Sequence, residues 1–519
     1  MSRVFRVCLV VLFPFLFSAD SYAAMGAAPA VSAESELDVR AFGALCDANY
    51  YNLQSNDWYA DAALTVLAHD DAAAIQSAVN ALKIQKSGAK TDPFHASFIV
   101  AKKLKFPAGR RCRIKSPVSV EADGSTVPPT YMDNIMIEGY GAQLVAANGF
   151  AGVSRYYDTK HTEIIKAMII VGAKNFGKEA RSDYQSYNKI YGLQFVGNGD
   201  QDLAGIYIEA GSAYQMQDLH FERMGFGIKA RLLRHSIISN IDAIDTHSLI
   251  YSYNNTPGIK SADPSSHWEN GGSEGGNLTL SNIFYMTQPA TMLEANKTRG
   301  ALHFYNTGEL KINNVTIFGG SKGIVLDGQG YNAVSGNKWN LISNVEIAET
   351  ELEPLYFNAK RYINFTSANI TWCFKNTRGW ASADYQAPYL NFIDVRDSIF
   401  SNVIIDRDNG NNIYRGGHDI QLTNSIGNTF NNIVITGRPG PIDDMYSHFY
   451  LVNSTYNKFN SINCTEVDAS IRWKYGLFAD MTSDFNQLND SMVRLIKNRG
   501  NEVHFMKIGN NATRNLTFD

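Results

Sequence analysis

Cysteine is scarce in this chain, with 5 among 519 residues, and no two stand as Cys-x-x-Cys. That spacing excludes a zinc ribbon and a thioredoxin-like redox motif. Charge is also sparse, at 18%, and balanced: Lys plus Arg is 46, Asp plus Glu is 50, and the net is −4. A nucleic-acid partner calls for a concentrated basic face, so none is expected. No hydrophobic run beyond the first residues is long enough to cross a bilayer, so stable membrane insertion is not expected. No heptad run follows residue 480, and nothing in the sequence sets the oligomeric state.

What is present begins with an export pattern. Arg3 and Arg6 precede an apolar run over residues 7–17, and Ser21-Tyr22-Ala23 offers small residues for cleavage. This reads as a signal peptide over 1–23, and as a periplasmic or extracellular protein. Cys8 leaves with it. Export permits disulfides, and Cys46 with Cys112 is the favoured pair, two buried thiols being the alternative. An Ala-rich lead-in over 24–37 follows. Asp70 and Asp71 precede the Ala-rich stretch 72–79, where carboxylates cap the free amides of a helix start.

From about residue 130 one phrase returns: a small polar residue, Asn, then alternating apolar residues. It appears at Asp133-Asn134-Ile135, Ser239-Asn240-Ile241, Ser281-Asn282-Ile283, Asn313-Asn314-Val315, Ser343-Asn344-Val345, Ala368-Asn369-Ile370, Ser401-Asn402-Val403 and Asn431-Asn432-Ile433. Weaker copies are Lys189-Ile190-Tyr191, Asp218-Leu219-His220 and Asn460-Ser461-Ile462. From Asn240 the intervals are 42, 32, 30, 25, 33 and 30 residues. Strand-only repeats at this period predict an all-β solenoid, a right-handed parallel β-helix over 38–480 with a short N-terminal capping helix. Asn tolerates the left-handed backbone of a sharp corner, and its amide can join a ladder of amides inside the cylinder. Asn314-Val315-Thr316 and Asn369-Ile370-Thr371 match glycosylation acceptors, but an inner ladder would shield them. Residues 481–519, with Ser491-Met492-Val493, are read as a cap over the last coil.

Residues 38–43, the Asp70-Asp71 helix, and Phe106-Pro107-Ala108-Gly109 before Arg113-Ile114-Lys115 occur in an order that resembles the pectate-lyase-like superfamily. That superfamily also holds tailspike depolymerases and rhamnogalacturonase-type enzymes. The resemblance implies the same β-helix and a polysaccharide substrate. Two departures stand out. Residues 46–69 form a longer insertion than the short Gly-Asp turn of relatives, and the Asn-Thr-Asp and Gly-His-Gly motifs of polygalacturonases are missing. Gly416-Gly417-His418-Asp419 is a distant echo. No catalytic residue is carried over by motif.

Candidate residues come instead from alternation. If Ile241 points inward, Asp242 points outward; likewise His220 and Glu222 face out beside Leu219 and Phe221. His220, Glu222 and Asp242 should share an outer face, with Asp245 and His247 at its edge. Paired carboxylates suit glycoside hydrolysis, and a base with a nearby cation suits β-elimination. Lys229, Arg231 and Arg234 are candidate cations. In the interruption at 254–276, Trp268 can stack on a sugar beside His267 and Glu269. A second cluster comprises Glu346, Glu349, Glu351, Glu353, Asp406, Arg407 and Asp408, with Arg396 and Asp397 nearby, where Ca²⁺ is possible though no cofactor is required. A solvated polar surface is the alternative at each place. The expectation is an enzyme acting on an acidic or complex polysaccharide, with a non-catalytic glycan-binding scaffold as the alternative.

Overall fold

The computed structural model describes residues 36–82, 84–85, 102–123, 130–132, 134–158, 161–174, 188–209, 211–231, 233–253, 275–288, 297–305, 307–328, 339–373, 388–407, 417–436, 447–465, 475–480, 483, 485–489, 492–494, 506–508 and 517–518. Almost all pairing is parallel, rung on rung. One long sheet carries Gln215–Glu222, Ile237–Ile244, Gly275–Thr287, Thr307–Gly319, Asn340–Ala348, Ile363–Thr371, Ile399–Asp406, Thr429–Thr436 and Lys458–Thr465 in axial order. A second carries the matching strands Phe226–Ala230, Ser248–Tyr253, Gly300–Tyr305, Lys322–Asp327, Leu355–Asn358, Leu390–Ile393, Ile420–Thr423 and Ser447–Val452. Between them runs one apolar core, from Val39 to Ala479. This is the expected β-helix.

Each strand of the first sheet is bent. A left-handed residue divides it into two legs, at Asp218, Asn240, Asn282, Asn314, Asn344, Ser367, Asn402, Asn432 and Ser461. Asn282, Asn344 and Asn402 therefore line up along the axis, as the intervals predict. Their direction differs from expectation. Asn240, Asn282 and Asn314 are exposed, and each donates its amide outward along the surface: Asn282 to Asn240 at 2.8 Å and Asn314 to Asn282 at 2.8 Å. A left-handed residue turns its side chain away from the bend, so the corner ladder is external. The internal ladder is a different set. Buried Asn457 donates to Asn486, and buried Asn428 to Asn457, each at 3.0 Å, beside Ser425 and Ser454.

The repeat was misaligned at three copies. At Ala368-Asn369-Ile370 the corner is Ser367, and Asn369 sits in the second leg opposite Glu346. In the coil of Asp133-Asn134-Ile135 the corner is Gly141, and near Lys189-Ile190-Tyr191 it is Gly192, whereas Asn460-Ser461-Ile462 is in register, with Ser461 opposite Asn432. Asn314 and Asn369 are both exposed, so burial is no bar to modification there.

The ends also differ from expectation. Glu36–Asp38 already pairs with Lys103–Lys105, inside the stretch read as a lead-in. Beyond residue 480, Gln487–Asn489 and Met492–Arg494 add to the first sheet and Met506–Ile508 to the second. Those described residues prolong the coil rather than cap it. At the N-terminal end, helix Ala72–Leu82 buries Ile75, Ala78, Val79 and Leu82. Asp70 accepts from the Ala72 amide at 3.3 Å, a cap. Buried Asp71 instead fastens the Leu45 and Cys46 amides, at 2.8 and 3.0 Å. Burial outweighs these bonds and raises its carboxyl above the usual range. Cys46 and Cys112 are bridged, while Cys373 and Cys464 are buried free thiols. Among the described residues no helix is long and apolar enough to cross a membrane.

Candidate functional site

The second legs present one outward column along the axis. Register places Arg111 opposite Gln143, then Gln194, His220, Asp242, Phe284, Thr316, Glu346 and Asn369. A neighbouring column holds Arg113, Val145, Val196, Glu222 and Ile244. Rungs stand about 4.8 Å apart, so residues of successive coils touch. The corners at Asp218 and Asn240 aim these legs, and their side chains are joined by a 3.0 Å bond that also meets the Tyr140 hydroxyl at 3.0 Å.

The structure brings together the first three expected residues. His220 Nδ1 is hydrogen-bonded to Asp242 Oδ2, and its Nε2 faces Glu222 Oε2 at 3.8 Å. The second contact is an ion contact too long for a hydrogen bond. The Asp242 bond, and next the Glu222 contact, push the imidazole up to about 9 from its ordinary 6.5, against the opposing effect of burial. His220 is therefore an imidazolium at neutral pH. It in turn holds the Glu222 carboxyl below the ordinary range, with a smaller contribution from Arg223. The unit is an imidazolium held between two carboxylates, Asp242 at Nδ1 and Glu222 facing Nε2.

Arg223 went unnoticed in the sequence. Alternation sends the residue after Glu222 inward, but Arg223 is left-handed, with φ 57°, and stays half-buried at the surface. Its guanidinium lies 4.3 Å over the Tyr51 ring, is hydrogen-bonded to the Tyr51 hydroxyl, and reaches Asn56 Oδ1 at 3.2 Å. Tyr51 and Asn56 belong to the insertion at 46–69. There Tyr50–Asn52 pairs antiparallel with Asp57–Tyr59. This hairpin packs Ala48, Trp58 and Ala68 on Val145 and Val196, the two residues preceding Glu222 in its column. A buried Arg113–Asp57 pair, with two bonds of 2.7 Å, locks it down. The insertion is thus a wall on the N-terminal side of the His220 site. A chain of bonds along its foot, Arg111 to Gln143 and Gln143 to Gln194, each 2.6 Å, ends one rung short of His220.

Other expected residues lie elsewhere. His247 is buried, its carbonyl bound by the Tyr285 hydroxyl at 3.1 Å, so it is no edge of the site. Asp245 occupies the left-handed turn after the leg. Lys229 pairs with Glu163 at 2.8 Å and Arg231 with Glu209 at 3.1 Å, near the other sheet. Arg234 closes the short strand Leu233–Arg234 ahead of the first leg. None of the three cations is beside His220, because the chain turns a corner between Glu222 and Phe226. In the second cluster Glu346 is exposed and Asp406 partly so, two rungs apart, and Glu349 stands at a left-handed corner. Glu351 and Glu353 are buried, and buried Arg407 pairs with Asp419 at 2.8 Å, so these three do not line an outer face. Arg396 is 2.7 Å from Asp394, and Asp397 is an exposed corner. Trp268, His267, Glu269 and Asp408 lie outside the described residues. Among the described residues no three metal-ligating side chains converge within 4.8 Å at either acidic cluster; the group that does, Cys46, Asp71 and Cys112, has its thiols joined.

Comparison with solved structures bears on the fold. Tailspike protein 3 of bacteriophage CBA120 aligns over 93% of this chain with a TM-score of 0.50 at 10% identity. The chain has the right-handed parallel β-helix fold. It spans about 61% of that tailspike's length. Endo-xylogalacturonan hydrolase from Aspergillus tubingensis (TM-score 0.43, 9% identity, 83% of this chain and 96% of that one) is also similar. So is PfbA, a surface adhesin of Streptococcus pneumoniae (0.41, 12%, 88% and 90%). Neither of these two is close enough to bear on chemistry. No protein-family model and no curated protein matches the sequence.

Proposed function

We propose that this chain is an exported enzyme that cleaves glycosidic bonds of an acidic or complex polysaccharide at the His220 site, by hydrolysis. The observation that carries the proposal is His220, held protonated between Asp242 and Glu222 on an outer face walled by the 46–69 hairpin. The Cys46–Cys112 bridge fits an oxidising compartment, in keeping with the signal-like leader. No cofactor is needed for this chemistry.

The roles follow from protonation. A glycosidic oxygen that takes the place of Glu222 at Nε2, the carboxylate swinging aside, separates the imidazolium from one of its two stabilising carboxylates. Its proton becomes easier to give, and it passes to the leaving oxygen as the bond to the anomeric carbon breaks. Glu222, held ionised, accepts a proton from the attacking water. Asp242 keeps Nδ1–H oriented and does not take the proton. β-Elimination is less well supported. It needs a base for a carbon-bound proton, and His220 is protonated while Glu222 is a weak base.

The test is product chemistry. Incubation with polygalacturonate, xylogalacturonan and bacterial capsular polysaccharides is expected to release reducing ends without new absorbance near about 235 nm, where an unsaturated uronate absorbs through its conjugated bond. Absorbance growing with the reducing ends would replace hydrolysis by elimination. Binding without either signal across the panel would leave the scaffold alternative and end the enzyme reading.

A further inference from the structure

A second left-handed column stands at the corner where each coil enters the first leg. Its consecutive members are Trp339, Tyr362, Asp397, Gly427, Tyr456 and Phe485, with φ between 49° and 71°. Backbone bonds tie them rung to rung: Asn340 N to Tyr362 O, Tyr362 N to Arg396 O, Asp397 N to Ile426 O and Gly427 N to Thr455 O. Asn, Asp or Gly suits such a corner best, and a large ring there is an outlier. Four of these six positions nevertheless carry aromatic rings, and all four are exposed: Trp339 65%, Tyr362 38%, Tyr456 55% and Phe485 44%. The rings stack in pairs, Trp339 on Tyr362 at 4.9 Å and Tyr456 on Phe485 at 4.8 Å. Core packing cannot explain them, since they point to solvent.

We propose that these two ring pairs form a glycan-binding track, separate from the His220 site, that grips a long polysaccharide lying along the axis. Their spacing sets the shape. Tyr362 and Tyr456 are three rungs apart, about 14 Å, and Asp397 and Gly427 floor the interval. A Cβ at Gly427 would lie 2.8 Å from Asp397 Oδ1, so the absent side chain leaves room for that carboxylate. Beside the rings run Leu341, Asn364, Ile399, Thr429, Lys458 and Gln487, the outward residues of the adjoining first legs, polar except for the exposed Leu341 and Ile399. Apolar ring surfaces alternating with hydrogen-bonding groups match a sugar, whose ring has an apolar C–H face and a rim of hydroxyls. A second protein copy would instead call for a continuous apolar strip, which Asn364, Asp397, Thr429 and Lys458 interrupt. Trp339 begins three rungs beyond Asp242 and stands in the column of His235, seven residues along the strand from Asp242, so the track is a place of its own beside the His220 site. The choice of a glycan as occupant rests on the proposed function; the binding itself does not require cleavage.

The test uses Trp339→Asn/Tyr362→Asn and Tyr456→Asn/Phe485→Asn in the full chain, each combined with His220→Gln so that the probe is not consumed. Asparagine suits the left-handed corner, so these variants are expected to keep or raise the melting temperature while deleting the rings. Mobility is measured in native gels containing polygalacturonate, xylan, xyloglucan or dextran. The parent His220→Gln protein should be retarded in at least one gel, with affinity at least fivefold weaker in either ring-deleted variant. Equal retardation of all three proteins, or no retardation in any gel, overturns the track. Binding that depends on the rings, from a protein without cleavage activity, would uphold the track and sink the enzyme reading alone.

Discussion

If two carboxylates hold the His220 proton, the folded protein must lose stability as that proton leaves. The folded imidazole titrates at about 9, against 6.5 ordinarily. A group raised on folding contributes its full stabilisation below the unfolded value and loses it as pH climbs through the folded one. The window is therefore pH 6.5 to about 9. The rise corresponds to at most about 3 kcal/mol. The Asp242 and Glu222 side chains are 46% and 40% exposed, so solvent screening reduces the expectation to about 1–2 kcal/mol. His220→Gln removes the titration while keeping a polar side chain of similar reach. Urea denaturation of both proteins, at about pH 6 and about pH 10, should show a parent advantage at the lower pH that shrinks by that amount at the higher. An advantage unchanged between the two pH values would refute the coupled triad.

Other outcomes follow from the same structure. Arg113→Ala leaves Asp57 buried and unpaired under the hairpin, and should cost about 3–5 kcal/mol in denaturant titrations, whereas Arg113→Met/Asp57→Leu should cost much less. Asn457→Ala, in the internal ladder, should cost about 1–3 kcal/mol, while Asn314→Ala on the exposed corner ladder should change stability by under about 1 kcal/mol in the same assay. Replacing Cys46 and Cys112 by Ser opens a link spanning 66 residues, for an expected loss of about 4 kcal/mol by the loop-entropy relation.

The architecture was legible because the corners repeat. A left-handed backbone favours Asn, and Asn at intervals near 30 residues marks each turn of the coil. The same corners defeated finer inference. Strict alternation assumes an unbroken strand, but a left-handed residue resets which neighbour faces out. That is why Arg223 was overlooked and the repeat slipped by two at Asn369. His220, Glu222 and Asp242 were found because they stand away from such breaks, at i, i+2 and the same place one rung later. The hairpin wall was not legible at all. It joins residues 51 and 56 to residue 223, and no local pattern encodes a contact across that distance in sequence. Lys229 and Arg231 were misplaced for a related reason: closeness in sequence does not survive the turn from one face to the next.

The central claim is that the imidazolium gives a proton and Glu222 receives one. The pH profile of reducing-end release on a cleaved polysaccharide tests it directly. The account predicts a plateau whose alkaline limb falls near 9, as His220 deprotonates, and whose acid limb lies below 4.5, as Glu222 protonates. Glu222→Gln and His220→Gln should each abolish most of the activity, and the activity left in His220→Gln should lack the alkaline limb. Full activity in both variants, with the parent's profile intact, would contradict the account.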